Sequence, residues 1–263
     1  MDPIVPELFL QLREPDDSVG ATPAPLGEDE ALILLESAEF IATQLIPWGS
    51  NYSFAVAMLD SDGREQLAIY KPRSGEAPLY DFPAGSLYKR EVAAYRLSRL
   101  LGWRLVPPTI IRTGPHGVGS LQLYIEPARE SEDWDPQRFW STGVEAIERL
   151  VLFDHVTNNA DRKLGHCLRD ALGHVWGIDH GLTFNEVPKL RTVLWQFVGE
   201  PVSPRLLADL ARVCENEACL QRDLAPFLSK PELLAFRHRL ERIVAIGRYP
   251  KLNPNRNIPY GWW

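Results

Sequence analysis

The chain has 263 residues, roughly 1.75 times a domain of ~150, which allows one large domain or two lobes. Its 45% hydrophobic and 24% charged residues are the balance of a globular protein, and a chain this long needs neither disulfide nor metal to fold. A net charge of −7 and a pI near 5.5 argue against a general nucleic-acid binder and weaken any case for retention on anionic lipid by charge alone.

Three cysteines, Cys167, Cys214 and Cys219, with no CxxC spacing point to reduced thiols and a cytoplasmic chain. The start, MDPIVPELFLQLREPDD, lacks the basic region and cleavage site of a signal peptide, and no run reaches the ~18 apolar residues of a membrane span.

In chain order, PELFLQL (6–12) reads as a short docking segment. Residues 13–30, rich in Pro, Gly, Asp and Glu, read as a linker. Strands are expected at 38–46, 52–59 and 65–71, the first two joined by the turn-rich tip PWGSN and the third stopped by Pro72. They should form an antiparallel meander. A loop over 73–85 leads to Ser86, a fair N-cap for the amphipathic helix LYKREVAAYRLSRLLG, which Gly102 ends. Two more strands are expected at 105–112 and 120–126 around TGPHGVG.

The character then changes. Residues 129–142 read as loop and 143–156 as helix. A polar loop, TNNADRKLGH, follows, then a hairpin of CLRD and HVWGID around ALG. Helical periodicity occupies 204–215, 217–228 and 231–246, and the tail reads as irregular. The fold class expected is α+β: a β-rich half with one helix, followed by a mostly helical half.

The densest polar cluster is N158-N159-A160-D161-R162-K163-L164-G165-H166, and the hairpin after it ends in I178-D179-H180-G181. Two carboxylates bracketing a short hairpin can share a divalent cation, and oxygen donors suit magnesium or manganese. His166 stands five residues after Asp161. Upstream, Lys71 ends the third strand and Glu91 lies in the next helix. Arg162 and Lys163 read either as a solvated pair or as facing a transferring phosphoryl group. His155, His174 and His180 read as structural, and Trp176, Phe184, Trp195 and Phe197 as core.

The order of Lys71, Glu91, Asp161, His166 and Asp179-His180-Gly181 resembles that of protein kinases, with their strand lysine, helix glutamate, catalytic aspartate, metal-binding asparagine and D-x-G aspartate. D161-R162-K163-L164-G165-H166, I178-D179-H180-G181-L182 and Lys71-Pro72 are similar to the D-R-x-x-x-N, I-D-N-G-L and Lys-Pro patterns of the phosphatidylinositol 3-/4-kinase-like family. Type II phosphatidylinositol 4-kinases and small bacterial relatives are the nearest in pattern, over roughly residues 38–200. Two departures stand out. His166 replaces Asn, and imidazole favours softer ions than magnesium. The tip over 47–53 has one glycine, so phosphate contacts would fall to Ser50, Asn51, Ser53 and neighbouring amides.

The resemblance implies a two-lobed protein-kinase-like fold. Its divisions would be an N-terminal segment (1–37), an N-lobe (38–126), a C-lobe (127–249) and a tail (250–263). It also implies ATP with Mg2+ or Mn2+. Lys71, held by Glu91, would neutralise phosphate charge. Backbone groups near Tyr124 and Glu126 would bind adenine, and His166 and Asp179 would hold the metal. Asp161 would serve as proton acceptor, with Lys163 as the second catalytic candidate. The expected activity is γ-phosphoryl transfer to a hydroxyl of a protein, lipid or small molecule. A nucleotide-binding module without turnover and an AMP transferase stay open beside it.

Overall fold

The computed structural model describes residues 26–128 and 135–260. The docking segment read at 6–12 and most of the linker read at 13–30 lie outside them. The described residues divide into two compact units. One runs to Tyr88 and adds Pro108–Glu126; the other comprises Lys89–Pro107 and the residues from Pro127 on.

The first unit begins with helix α1 (Glu28–Ser37). The linker reading is corrected here. The acids Glu28, Asp29 and Glu30 form a helical first turn, where the partial positive charge of the N-terminus favours them. Glu30 also accepts the Gly27 amide at 3.0 Å. Acid-rich composition alone does not separate a charged helix start from a linker.

Next come β1 (Glu39–Ile46), β2 (Ser53–Leu59) and β3 (Glu65–Pro72), the expected antiparallel meander. β4 (Thr109–Gly114) and β5 (Gly117–Leu123) complete a five-stranded sheet in the order β1-β2-β3-β5-β4. They are tighter than the strands expected at 105–112 and 120–126, because Gly117 takes φ +93 and closes the hairpin three residues after Gly114. The alternation of the strands buries two faces. Val56, Met58, Ala68, Tyr70, Ile110 and Leu121 pack against Leu34 and Leu35 of α1. Ala55, Ala57 and Leu67 form a smaller cluster with Ile69 and Tyr124.

The register puts Lys71 opposite Ser120 and Pro72 opposite Gly119. A Cβ at Gly119 would lie 2.4 Å from the Lys71 carbonyl oxygen, so only glycine lets β5 close on the end of β3.

Helix α2 (Leu87–Leu101) starts directly after Ser86 and ends at Gly102, as expected. Most of it belongs to the second unit. There a short α3 (Pro136–Trp140), capped by Asp135, replaces part of the loop read at 129–142, whose residues 129–134 are outside the described set. Helix α4 (Glu145–Thr157) is buried along its last eight residues. The hairpin of β6 (Cys167–Arg169) and β7 (Val175–Gly177) follows, then α5 (Pro204–Cys214), α6 (Glu217–Leu224) and α7 (Lys230–Ile246). α7 carries a Ser229/Glu232 capping box and ends at Gly247, φ +67. It packs on α4 and α5. The structural reading of His155 agrees with its place: it is buried in α4, edge-on to Tyr249.

Burial drives the His155 pKa down from 6.5 to about 4. The unfolded chain therefore takes up this proton near pH 6.5 and the folded chain only near 4. The stability due to neutral His155 is complete above pH 6.5 and is lost as pH falls towards 4. About 2.5 units correspond to about 3 kcal/mol. Urea unfolding at pH 7 and pH 4.5 should show this loss in the parent and a smaller one in His155→Phe.

Candidate functional site

The second unit holds the polar loop after α4 and the Asp-His-Gly turn after β7. The polar groups of this loop are organised around one buried ion pair. Asp154, on the last turns of α4, and Arg162 are both inaccessible to solvent. Arg162 Nε donates to Asp154 Oδ2 at 2.8 Å and Nη2 to Oδ1 at 2.9 Å, a bidentate fork. The same guanidinium donates through Nη1 to the carbonyls of His166 (2.8 Å) and Ile178 (3.0 Å), and Nη2 lies 2.9 Å from His180 Nε2. One side chain thus ties helix α4, the loop and the Asp-His-Gly turn together. Burial alone would lower the Arg162 pKa, but the charge and hydrogen bonds of Asp154, with the nearby Cys167 and Asp179, together outweigh it and raise the pKa.

Both readings of Arg162, as solvated or as facing a phosphoryl group, are therefore replaced by a structural one. Asp154 was missed as a site residue. The available signal was a lone acid among apolar residues in LVLFDHV, where a charge must find a partner.

Asn158 closes α4 in the left-handed region, φ +57. Its Nδ2 donates to the carbonyls of Asn185 and Val187, and its Oδ1 accepts the Lys189 amide. Asn159 Nδ2 donates to Asp154 Oδ1 at 2.9 Å, and its Oδ1 accepts the Asp161 amide at 3.0 Å. The loop is thereby fixed on both sides of Asp161.

The Asp161 side chain is 24% exposed, and its carboxylate is 3.0 Å from Lys163 Nζ. Burial raises its pKa above the ordinary 3.8, while the Lys163 ammonium opposes the rise. Lys163 thus lies beside the acid.

His166 Nδ1 is 2.9 Å from the Asp161 carbonyl oxygen, which can only accept, so Nδ1 carries the proton. In the neutral ring this leaves the Nε2 lone pair facing Asp179 Oδ2 at 3.3 Å. That tautomer, oriented by a backbone carbonyl, is the one a metal-binding histidine needs. Two neighbouring ligands of an octahedral cation, each at about 2.1 Å, lie about 3.0 Å apart, so the His166–Asp179 pair fits one divalent ion. Among the described residues no group of three or more His, Cys, Asp or Glu is disposed to hold a metal, so the remaining ligands would be water or substrate oxygens. Asp179 adopts φ +58, a conformation that Asp tolerates better than most residues.

Glu91 is buried in α2, and its Oε2 accepts the His180 amide at 2.8 Å. Arg90 beside it is buried too, paired with Glu232 of α7 and donating Nε to the Thr183 carbonyl at 3.0 Å. His180 is fully buried in this framework, consistent with its structural reading, and Phe184 is core.

The remaining candidates lie in the first unit. Asn51 Oδ1 accepts the Ala77 amide at 2.7 Å and the Tyr52 amide donates to Gly75 at 2.9 Å, which pins the tip to the segment after β3. Ser53 opens β2 and Ser50 is exposed in the tip. The Tyr124 amide donates to the Leu67 carbonyl at 3.1 Å, so that donor is engaged within the sheet. Glu126 follows outside any strand or helix.

The sheet with its helices and the loop-and-turn pair define the protein-kinase-like fold. A solved structure titled as the Golgi casein kinase with Mn/ADP bound shares it: TM-score 0.53, 15% identity, covering 83% of this chain and 74% of that one. No protein-family model matches the sequence. The chain belongs to the family of Protein Rv2133c of Mycobacterium tuberculosis: the two are 36% identical over 230 residues, covering 75% of this chain and 83% of that protein. It is also 29% identical over 190 residues to phosphatidylinositol 4-kinase gamma 4 of Oryza sativa subsp. japonica, covering 57% of this chain and a third (33%) of that longer protein.

Removing one partner of the buried pair should be costly. Arg162→Met or Asp154→Leu alone should lose about 3–5 kcal/mol in urea unfolding, because each strands a buried charge, and the double variant should recover much of that loss.

Proposed function

We propose that the chain is an ATP-dependent phosphotransferase of the phosphatidylinositol 3-/4-kinase-like kind, moving the γ-phosphoryl group to a hydroxyl acceptor. The observation that carries this reading is the Asp161 carboxylate in a loop held by Arg162, with His166 Nε2 turned to Asp179 at 3.3 Å. The likeness to the rice phosphatidylinositol 4-kinase and the shared fold of the casein kinase support it.

In this reading the acceptor hydroxyl donates to Asp161. Its oxygen forms a bond to the γ-phosphorus as the bond to the β,γ-bridging oxygen breaks, ADP departs, and the proton passes to Asp161. The raised pKa of Asp161 makes it a better proton acceptor than an ordinary aspartate. Lys163, 3.0 Å away, holds the carboxylate and faces the transferring charge. His166 and Asp179 would hold Mg2+ or Mn2+, which when bound would neutralise phosphate charge. Lys71 takes phosphate charge. Ser50, Ser53 and amides of the tip contact phosphate, with Asn51 holding the tip in place. Adenine pairs with backbone groups about Glu126, since the Tyr124 amide is engaged.

Asp161→Asn should lower phosphoryl transfer by ~10²–10⁴ while ATP affinity stays within a few-fold, measured by radiolabel transfer beside calorimetry. Unchanged turnover would remove Asp161 from the mechanism. No turnover in the parent, with tight ATP binding, would favour a non-catalytic module, and an adenylyl mass increment on the acceptor would favour AMP transfer.

Asp179→Asn should weaken metal-dependent ATP binding about tenfold, or 1.4 kcal/mol. Manganese should serve at least as well as magnesium, because one ligand is an imidazole nitrogen. Equal ATP affinity in variant and parent would exclude Asp179 as a ligand.

A further inference from the structure

The segment after the Asp-His-Gly turn runs beside the loop that carries Asp161. The Arg191 amide donates to the Asn159 carbonyl at 2.8 Å, the Arg162 amide to the Arg191 carbonyl at 3.0 Å, and the Val193 amide to the Arg162 carbonyl at 3.2 Å. Arg162 and Thr192 thereby form a parallel bridge. Asp161 lies between the two loop residues held in this way, Asn159 and Arg162.

Backbone amides alternate in direction along such a paired segment. Those of Arg191 and Val193 face the loop, so that of Thr192 faces away, and it donates to the Asn257 carbonyl at 2.9 Å. The Leu190 carbonyl, on the same edge, accepts from Asn257 Nδ2. Residues 190–193 thus lie in the middle, with the loop on one side and the C-terminal tail on the other. The tail is braced for this contact. Asn257 Oδ1 accepts the Asn253 amide at 2.7 Å, the Asn257 amide donates to the Asn253 carbonyl at 2.9 Å, and Asn253 Oδ1 accepts the Asn255 amide at 2.9 Å. The Arg191 guanidinium also lies over the Tyr260 ring, 4.7 Å from its centre.

We propose that the tail over 253–260 is a latch for this loop, and that Asn257 is a positioning residue for Asp161. Without the latch, residues 190–193 lose the partners of their outer edge and open locally, and the flanks of Asp161 lose the segment that fixes them. A shift of about 1 Å at a reacting group can cost ~10²-fold in rate. The effect on turnover rests on the phosphotransferase reading of Asp161; the effect on the loop does not.

The test is hydrogen–deuterium exchange of the full chain without nucleotide, read by mass spectrometry, beside ATP turnover with Mn2+. In N257A, peptides covering 159–163 and 190–193 should exchange at least about tenfold faster than in the parent, while those of α4 and α7 keep the parent rates. A protein that is merely destabilised would exchange faster in all four. In the same variant kcat should fall at least about tenfold, with KM for ATP within about threefold of the parent.

N257D is nearly isosteric. It keeps the acceptor for the Asn253 amide and loses the donor to Leu190, so it should loosen the same two segments, and it decides the matter should N257A fail to fold. Three results would overturn the proposal: parent-like exchange over 159–163 in a folded variant, faster exchange spread evenly over the chain, or an unchanged kcat. A parent without ATP turnover would refute the kinase reading, and the exchange rates alone would then decide the latch.

Discussion

The second unit depends on the pairing of Asp154 with Arg162. Burying either charge alone would cost several kcal/mol, and the pair is tolerated because every strong donor direction of the guanidinium is used. The cost has a geometric return. Arg162 reaches the His166 and Ile178 carbonyls from the far side of the loop, so the positions of His166 and Asp179 are set by one rigid planar group. A lysine could not span these acceptors with fixed geometry. The site is thus built from the inside outwards, with the most buried residues deciding where the half-exposed ones stand.

Helix α2 obeys the same logic. Arg90 and Glu91 are neighbours of opposite charge, both buried and both engaged in the second unit: Arg90 with Glu232 and the Thr183 carbonyl, Glu91 with the His180 amide. A helix held by two buried polar anchors has little freedom to rotate or slide. The end of β3 is fixed by a different means. Gly119 removes a side chain so that β5 can pair closely at Lys71 and Pro72. Charge pairing positions the acids, and backbone proximity positions the lysine.

His166, which we propose as a metal ligand, stands where the kinase-like pattern has asparagine. In place of an asparagine carbonyl oxygen stands a ring nitrogen, and the Asp161 carbonyl selects its tautomer. The acid of the loop therefore contributes twice: its backbone orients the imidazole while its carboxylate stays beside Lys163. In the proposed reading the exchange shifts the donor set towards nitrogen, which would bear on metal preference more than on the fold.

Much of the element pattern was legible in the sequence, because strands and helices write their burial into a local period. The meander over 38–72, the helix after Ser86, the small hairpin at 167–179 and the three late helices all follow from spacing and punctuation. The order of Lys71, Glu91, Asp161, His166 and Asp179 is visible in the sequence as a kinase-like pattern, and the proposed function draws on it. Helix α1 was not legible, because an acidic first turn and a polar linker have the same composition until Leu34 and Leu35 find a sheet to cover. Nor was the burial of Arg90, Glu91 and Arg162. A charged residue can be solvated or interred, and the choice rests on partners far along the chain: 142 residues for Arg90 with Glu232, 89 for Glu91 with His180. The sequence by itself determined which groups were available for chemistry. The tertiary structure alone decided which of them face solvent and which hold the others in place, because only folding brings such distant partners within hydrogen-bond reach.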